Sequence, residues 1–348
     1  MRRLAPLVLL LASLAVTAGV LELALRVLPI DASSHHSIAG FTVYDPVLGW
    51  KLAPSRSLVF RGAHFAVRVT HDAEGLRDDH VDHARAPGRR RVLVLGDSVV
   101  WCWGVEHAEC FTELVERALG DTDVVNAGVP GYSTAQELLF YENQGRRYRP
   151  DVVVLVVSPN DADDNVDRRG PRFRLAGERL VYDPAPPPRR KSAAQEWLQE
   201  HSRLFTWLDY VGTVLRRAAR STVAENPPAA PGPMAAEAPA PGPRPTPAAW
   251  ALTEALFDRF RRDVATDGAE LVVVLEMMSE RLRAWQRGYW AAHGVPCLEL
   301  APALLAAEAR GEQVRLEGDP HLAPAGQIVL AAELGRVLRG LPGFGRIR

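Results

Sequence analysis

Residues 91–98 read Arg-Val-Leu-Val-Leu-Gly-Asp-Ser. The apolar run Val92 to Leu95 has no polar interruption and is bounded by Arg90-Arg91 and Gly96. A strand with one wet face alternates apolar and polar residues. A short unbroken run is how a strand buried on both faces of a parallel sheet reads. Working outward, Phe111, Leu114, Val115, Ala118 and Leu119 recur at helical spacing. A strand is expected at Asp123 to Asn126, and a helix opening at Ser133, where Gln136 three residues on completes a capping-box signature. DVVVLVV (151–157) is a second unbroken run, LVVVLE (271–276) a third, and Val295 to Leu300 a fifth strand in all. A last helix is predicted from Pro324 to Leu338. Strands alternating with helices imply an α/β fold with a doubly wound, flavodoxin-like parallel sheet of about five strands.

The rest of the chain is organised around this core. Residues 31–90 are a lead-in rich in Gly, Pro, His and Asp, with one strand-like alternation at His64 to Thr70. The expected main domain is 91–340, with an insertion at about 166–250. Within the insertion, Lys191 to Arg220 is amphipathic and helical. Glu225 to Pro247 is dominated by Pro and Ala and cannot bury enough apolar surface to order itself, so it reads as a linker. At the start, Arg2 and Arg3 precede an apolar run from Leu4 to Leu21. A run of about 18 residues reaches the length of a bilayer-spanning helix. Residues 1–30 are therefore expected as a signal anchor, a transmembrane helix with Arg2 and Arg3 left in the cytoplasm and residues 31–348 outside. Val16-Thr17-Ala18 offers the alternative of a cleaved signal peptide, which also exports the protein.

Composition narrows the function. The 348 residues are 47% hydrophobic, too apolar for a disordered chain. The net charge of −1 comes without a basic stripe, so nucleic acid is not an expected partner. Cys102, Cys110 and Cys297 form no zinc-type spacing, and no metal or cofactor is implied. They read as small buried hydrophobes, with a Cys102–Cys110 bridge as the alternative.

Loops after three strands carry reactive residues. Gly96-Asp97-Ser98 follows the first, Gly128-Val129-Pro130-Gly131 the second, and Ser158-Pro159-Asn160-Asp161 the third. In an open parallel sheet, ligands bind beyond the carboxyl ends of the strands, so these loops converge. Asp319-Pro320-His321 precedes the last helix and can return to the same edge. Ester hydrolysis needs a nucleophile, and a serine hydroxyl needs a base: Ser98 and His321 are the candidates. The imidazole needs a carboxylate to hold its tautomer, and Asp319 is nearest, with Glu317 as the substitute. The tetrahedral oxyanion needs donors, supplied by the Ser98 and Gly131 N–H groups and the Asn160 side-chain amide.

These four blocks, in this order and each at a strand end or before the last helix, resemble those of the SGNH (GDSL-like) hydrolases. The resemblance covers roughly residues 91–165 and 268–338, and by it Ser98, Gly131, Asn160 and His321 match the four name-giving residues. Tyr44-Asp45-Pro46-Val47-Leu48-Gly49-Trp50 and Gly75-Leu76-Arg77 are similar to the lead-in of membrane-anchored bacterial members. Two departures stand out: Ser158 sits where the third block usually has Gly, and one residue rather than two separates Asp319 from His321. The resemblance implies an exported serine esterase working through an acyl-enzyme on carboxylic esters, with acylated envelope or extracellular glycans, or lipids, as substrate. An O-acyltransferase acting on an envelope polysaccharide and a silent envelope scaffold are the alternatives.

Simpler readings compete at several residues. Ser98 could cap a helix, Asn160-Asp161 could close a turn, and His321 could be a surface histidine. The run Asp78-Asp79-His80-Val81-Asp82-His83 fits no standard metal spacing and reads as a solvated loop. Asp161, Asp163, Asp164 and Asn165 lack the glycine and late glutamate of an EF-hand. Trp101 and Trp103 either line the cleft or pack beside it.

Overall fold

The computed structural model describes residues 5–27, 40–62, 64–79, 82–166, 170, 172–177, 179–184, 192–209, 211–212 and 247–342. In chain order the elements are α1 (Ala5–Val27), β1 (Thr42–Asp45), β2 (Gly49–Leu52), β3 (Ser57–Arg61), β4 (Ala66–Thr70), β5 (Arg90–Gly96) and α2 (Phe111–Leu119). They continue with β6 (Thr122–Gly128), α3 (Thr134–Asn143), β7 (Val152–Val157), α4 (Asp161–Asp164), β8 (Arg172–Ala176), β9 (Arg179–Asp183) and α5 (Ala193–His201). Last come α6 (Pro247–Thr266), β10 (Glu270–Leu275), α7 (Glu280–Ala292), β11 (Cys297–Glu299), α8 (Ala301–Ala309) and α9 (Pro324–Gly340).

Five strands form one parallel sheet in the order β11-β10-β7-β5-β6. Every residue of β7 is buried, as the unbroken apolar run requires. Alternate residues face opposite sides. Val92, Val94, Val154, Val156, Val272 and Val274 pack with Phe111 and Val115 of α2 and Leu330 and Leu334 of α9. Leu93, Leu95, Val153, Leu155 and Val273 are equally buried and point the other way, toward the side where α3 meets α6 by stacking Tyr141 on Phe260. The chain leaves β5 toward β6 on one side, and β7 lies on the other, so the topological switch point falls between β5 and β7. Pairing of Gly96 with Gly128 brings two of the reactive loops out at the same level of the sheet edge.

The capping box at Ser133 is present, with the Ser133 N–H donating to Gln136 Oε1. Three two-stranded ribbons, β1–β2, β3–β4 and β8–β9, go beyond the single lead-in strand expected from sequence. They are four or five residues long and partly exposed, so each carries too little alternation to register. Residues 38–60 and 66–90 belong to the same compact unit as the sheet. Pro247 begins the 20-residue helix α6; residues 225–246 of the expected linker lie outside the described residues.

The expected membrane helix is not found: among the described residues, no helix is long and apolar enough to cross a membrane. Arg2 and Arg3 lie outside the described residues. The final turns of α1 carry a Glu22–Arg26 ion pair at 2.7 Å, and charge there interrupts the apolar stretch. Glu22 also accepts from Ser202 Oγ and from the N–H groups of Arg203 and Leu204, within the compact unit that contains α1 and α5. These bonds, that of Leu204 foremost, pull the Glu22 carboxyl down to about 2.

Candidate active site

Ser98 opens the run of turns that follows β5. It is half-buried, and no helix begins there, so it is not a helix cap. The loop folds back in successive tight turns, with Trp101 N–H donating to Asp97 O and Trp103 N–H to Ser98 O. It packs directly on β6: a Cβ at Gly128 would lie 2.3 Å from Trp101 N, so only glycine fits. Arg77 fixes the loop from beneath. Its guanidinium, buried to within 1% of full exclusion, donates to the carbonyls of Trp101, Cys102 and Val105. Cys102 is held there at φ +56°, a strained position for a residue other than glycine.

His321 arrives on a tight turn before α9. Leu316 N–H donates to His321 O, and Arg315 bridges Leu322. His321 Nε2 lies 2.8 Å from Ser98 Oγ. Its Nδ1 lies 2.5 Å from Asp319 Oδ1, and its backbone N–H donates to the same oxygen at 2.9 Å. With Asp319 ionised, Nδ1 carries the proton and Nε2 is left to accept from the serine hydroxyl. Asp319 is the carboxylate on the imidazole; Glu317, two residues back, is exposed. The pairing arises from an aspartate side chain closing a turn on the N–H two residues on.

Gly131 sits at φ +77°, open except for the Trp50 ring 3.6 Å from a notional Cβ, in the turn closed by Tyr132 N–H to Val129 O. Trp50 Nε1–H donates to Pro130 O, and Tyr132 O–H donates to Trp50 O, which ties the lead-in to this loop. Asn160 is exposed at the start of α4. One N–H of its amide donates to Asp164 Oδ2 at 2.7 Å, and an amide nitrogen has a second to offer.

Behind the serine lies a group of buried carboxyls. Burial raises Asp97, with the Val99 N–H and the His321 charge opposing it. Burial also lifts Glu137 and Asp161 well above the ordinary carboxylate range. Asp161 Oδ2 accepts from Ser158 N–H and Thr134 Oγ1. Half-buried Glu276, at the end of β10, is pushed up to about 8 by burial and then by the Asp97 charge.

Sequence reasoning missed two further features. Trp103 stacks on the His321 ring, whereas Trp101 is core, packed between Phe41 and Phe60. Asp78 is buried rather than solvated, and its Oδ2 accepts from Asn126 N–H at 2.7 Å. Asp78, His107 and Glu113 bring metal-ligating atom types within 4.8 Å of one another. As they stand, His107 pairs with Glu113 at 3.4 Å, and Asp78 is already bonded to the backbone. Cys102, Cys110 and Cys297 are free thiols.

A serine, an imidazole and a carboxylate in series, at the switch point of a parallel sheet, define a hydrolase of the α/β class. The chain belongs to the GDSL-like Lipase/Acylhydrolase family, whose model matches residues 94–278, more than half of it; it is a hydrolase acting on ester bonds. Among solved structures, it is similar to a member of the lipolytic protein G-D-S-L family from Veillonella parvula DSM 2008, at 13% identity and a TM-score of 0.43, covering 72% of this chain and 100% of that one. It is also similar to the lipase/acylhydrolase from Enterococcus faecalis, at 15% identity and TM-score 0.39, covering 72% and 96%. An acetyl xylan esterase, AlAXEase, aligns at 12% identity and TM-score 0.39, covering 71% and 99%. No curated protein matches.

Proposed function

We propose that this esterase works through an acyl-enzyme, with Ser98 as nucleophile, His321 as base and Asp319 as the orienting acid. The observation that carries this reading is the unbroken series Ser98 Oγ–His321 Nε2–His321 Nδ1–Asp319 Oδ1, at 2.8 and 2.5 Å. Ser98 Oγ adds to the ester carbonyl carbon while its proton passes to His321 Nε2. The negative charge on the carbonyl oxygen is met by the Ser98 and Gly131 N–H groups and the Asn160 amide. Collapse breaks the bond to the alkoxy oxygen, which leaves as the alcohol with the proton from His321. Water then adds to the acyl carbon and gives its proton to His321. The second collapse releases the carboxylic acid and returns the proton to Ser98.

We read the substrate as O-acyl groups displayed on envelope or extracellular glycans. Gly131 and Asn160 are exposed and Ser98 is half-buried, which suits an acyl group presented on a larger molecule. The placement outside the cytoplasm rests on Arg2 and Arg3 ahead of the apolar run Leu4–Leu21. The deciding experiment is covalent labelling with a fluorophosphonate followed by peptide mapping. The expected result is modification of Ser98, and loss of both label and p-nitrophenyl acetate turnover in Ser98→Ala, a loss of about 10⁶ in kcat. Ser98→Ala retaining a tenth of the rate overturns the reading.

A further inference from the structure

We propose that Trp103 is the positioning residue of this site: its side chain holds His321 and Asp319 in register, and its backbone N–H ties it to the Ser98 turn. The proposal rests on the triad reading above. Trp103 touches each member by a different group. Its backbone N–H donates to Ser98 O at 3.1 Å. Its indole ring lies face to face with the His321 imidazole, centroids 4.7 Å apart and planes 14° from parallel. Its Nε1–H donates to Asp319 Oδ2 at 3.2 Å.

These contacts divide the labour on Asp319. Oδ1 serves His321 through Nδ1 and the backbone N–H, and Oδ2 serves the indole. A carboxylate held at both oxygens cannot rotate away from the imidazole. The stack constrains the remaining freedom, because swinging the imidazole about its ring torsion would break the parallel contact. It also acts on the reaction. When His321 takes the serine proton it becomes a cation lying over an aromatic face, an arrangement that attracts.

Trp103 is itself fixed. It is 6% exposed. Phe60 of β3 meets it edge-on at 4.6 Å and Trp101 lies 5.8 Å away, while Arg77 holds the carbonyls of Cys102 and Val105 on either side of it. The lead-in thereby supports the site through Phe60 and Arg77. The charged groups that face His321 are Asp319 on its own turn and Asp97 behind the serine.

The test uses the full chain with Trp103→Phe, which keeps an aromatic face and loses the donor, and Trp103→Leu, which loses both. Turnover of p-nitrophenyl acetate is followed from pH 5 to 9. For Trp103→Phe, kcat should fall about ten-fold, the size of one hydrogen bond to a charged group. For Trp103→Leu it should fall about thirty-fold, as orientation and the aromatic face are lost together. KM should stay within about two-fold in both, since substrate contacts are untouched. A packing role alone lowers the melting temperature and leaves kcat per folded molecule at the wild-type value; that result overturns the proposal. If Trp103→Leu does not fold, Trp103→Phe decides: unchanged kcat sinks the proposal, and a fall at constant KM supports it. Ser98→Ala is run alongside. If it keeps turning over, the triad reading falls and the proposal with it. If it is inactive while both Trp103 variants match wild type, the proposal alone fails.

Discussion

At the scale of single residues, the site turns on which carboxylate serves His321. Sequence spacing left Asp319 and Glu317 both open, since either lies an even number of residues from the imidazole. The turn separates them: Asp319 accepts from both Nδ1 and the backbone N–H of His321, and Glu317 is exposed. Asp319→Asn should therefore cost on the order of 10⁴ in kcat/KM, because an amide at Oδ1 favours the wrong imidazole tautomer. Glu317→Gln should cost no more than about two-fold. Measuring kcat/KM for both decides it, and a larger loss at 317 would transfer the role. Asn160 presents a different question, because its amide is already engaged by Asp164. If its second N–H meets the oxyanion, Asn160→Ala should lower kcat by about 10²–10³ with little change in KM. A change confined to KM would make Asn160 a substrate-binding residue instead. Ser98, His321 and Asp319 were legible because they fall in a fixed order, after the first strand and before the last helix, where an open parallel sheet gathers its reactive loops. Trp103 was not, since an aromatic in a loop carries no chemical signature until its ring is seen against the imidazole.

At the scale of elements, the sequence reveals what is buried on both faces and hides what is short. The runs at 91–95, 151–157 and 271–276 appear as β5, β7 and β10 within a residue or two. Of the strands in the three ribbons only β4 showed, in the alternation at His64 to Thr70; the others escaped because a strand of four or five residues offers only two or three turns of the alternation. The tie between lead-in and site was hidden for another reason: it is made by one buried arginine. Arg77 spreads its fork over three carbonyls of the loop that follows Ser98. A lysine ammonium carries the same charge but cannot span those acceptors in one plane. Arg77→Lys should destabilise the fold by about 2 kcal/mol or more, given what hydrogen bonds to charged groups contribute. It should also lower kcat, because the strained Cys102 and its neighbour Trp103 lose their support. Chemical denaturation and steady-state kinetics read the two effects, and wild-type values in both would show that the clamp is dispensable.

At the scale of the whole molecule, alternating strands and helices were enough to anticipate the sheet, because right-handed crossovers leave few ways to lay parallel strands side by side. They were not enough to anticipate the burial of so many carboxyls, since a charged residue in a sequence carries no mark of its desolvation. Burial pushes Glu276 up to about 8 and Glu113 and Glu142 up to about 7, and lifts Asp78, Glu137 and Asp161 well above the ordinary range. Between about pH 4.5 and 8 the folded chain therefore keeps protons that the unfolded chain has released, so stability must fall as pH rises through that window. Histidine acts in the opposite sense. Burial pushes His71 down to about 4. The unfolded imidazole takes up a proton below its usual value of about 6.5, so His71 removes stability as pH falls toward 4. These carboxyls, with Asp97 and Asp163 also raised by burial, outnumber His71 and His107, whose pKa burial also lowers, so the net slope above pH 5 is set by the carboxyls. The melting temperature should thus be highest near pH 5 and decline steadily to pH 8. Glu276→Gln removes one of the titrating groups and should flatten the decline, most between about pH 5.5 and 7, where the native carboxyl is still protonated and the unfolded one is not. Differential scanning calorimetry of both proteins at pH 5, 6.5 and 8 measures this directly. A melting temperature that is level or rises over that range would mean that the buried carboxyls are ionised and partnered in solution, and that burial does not govern their charge.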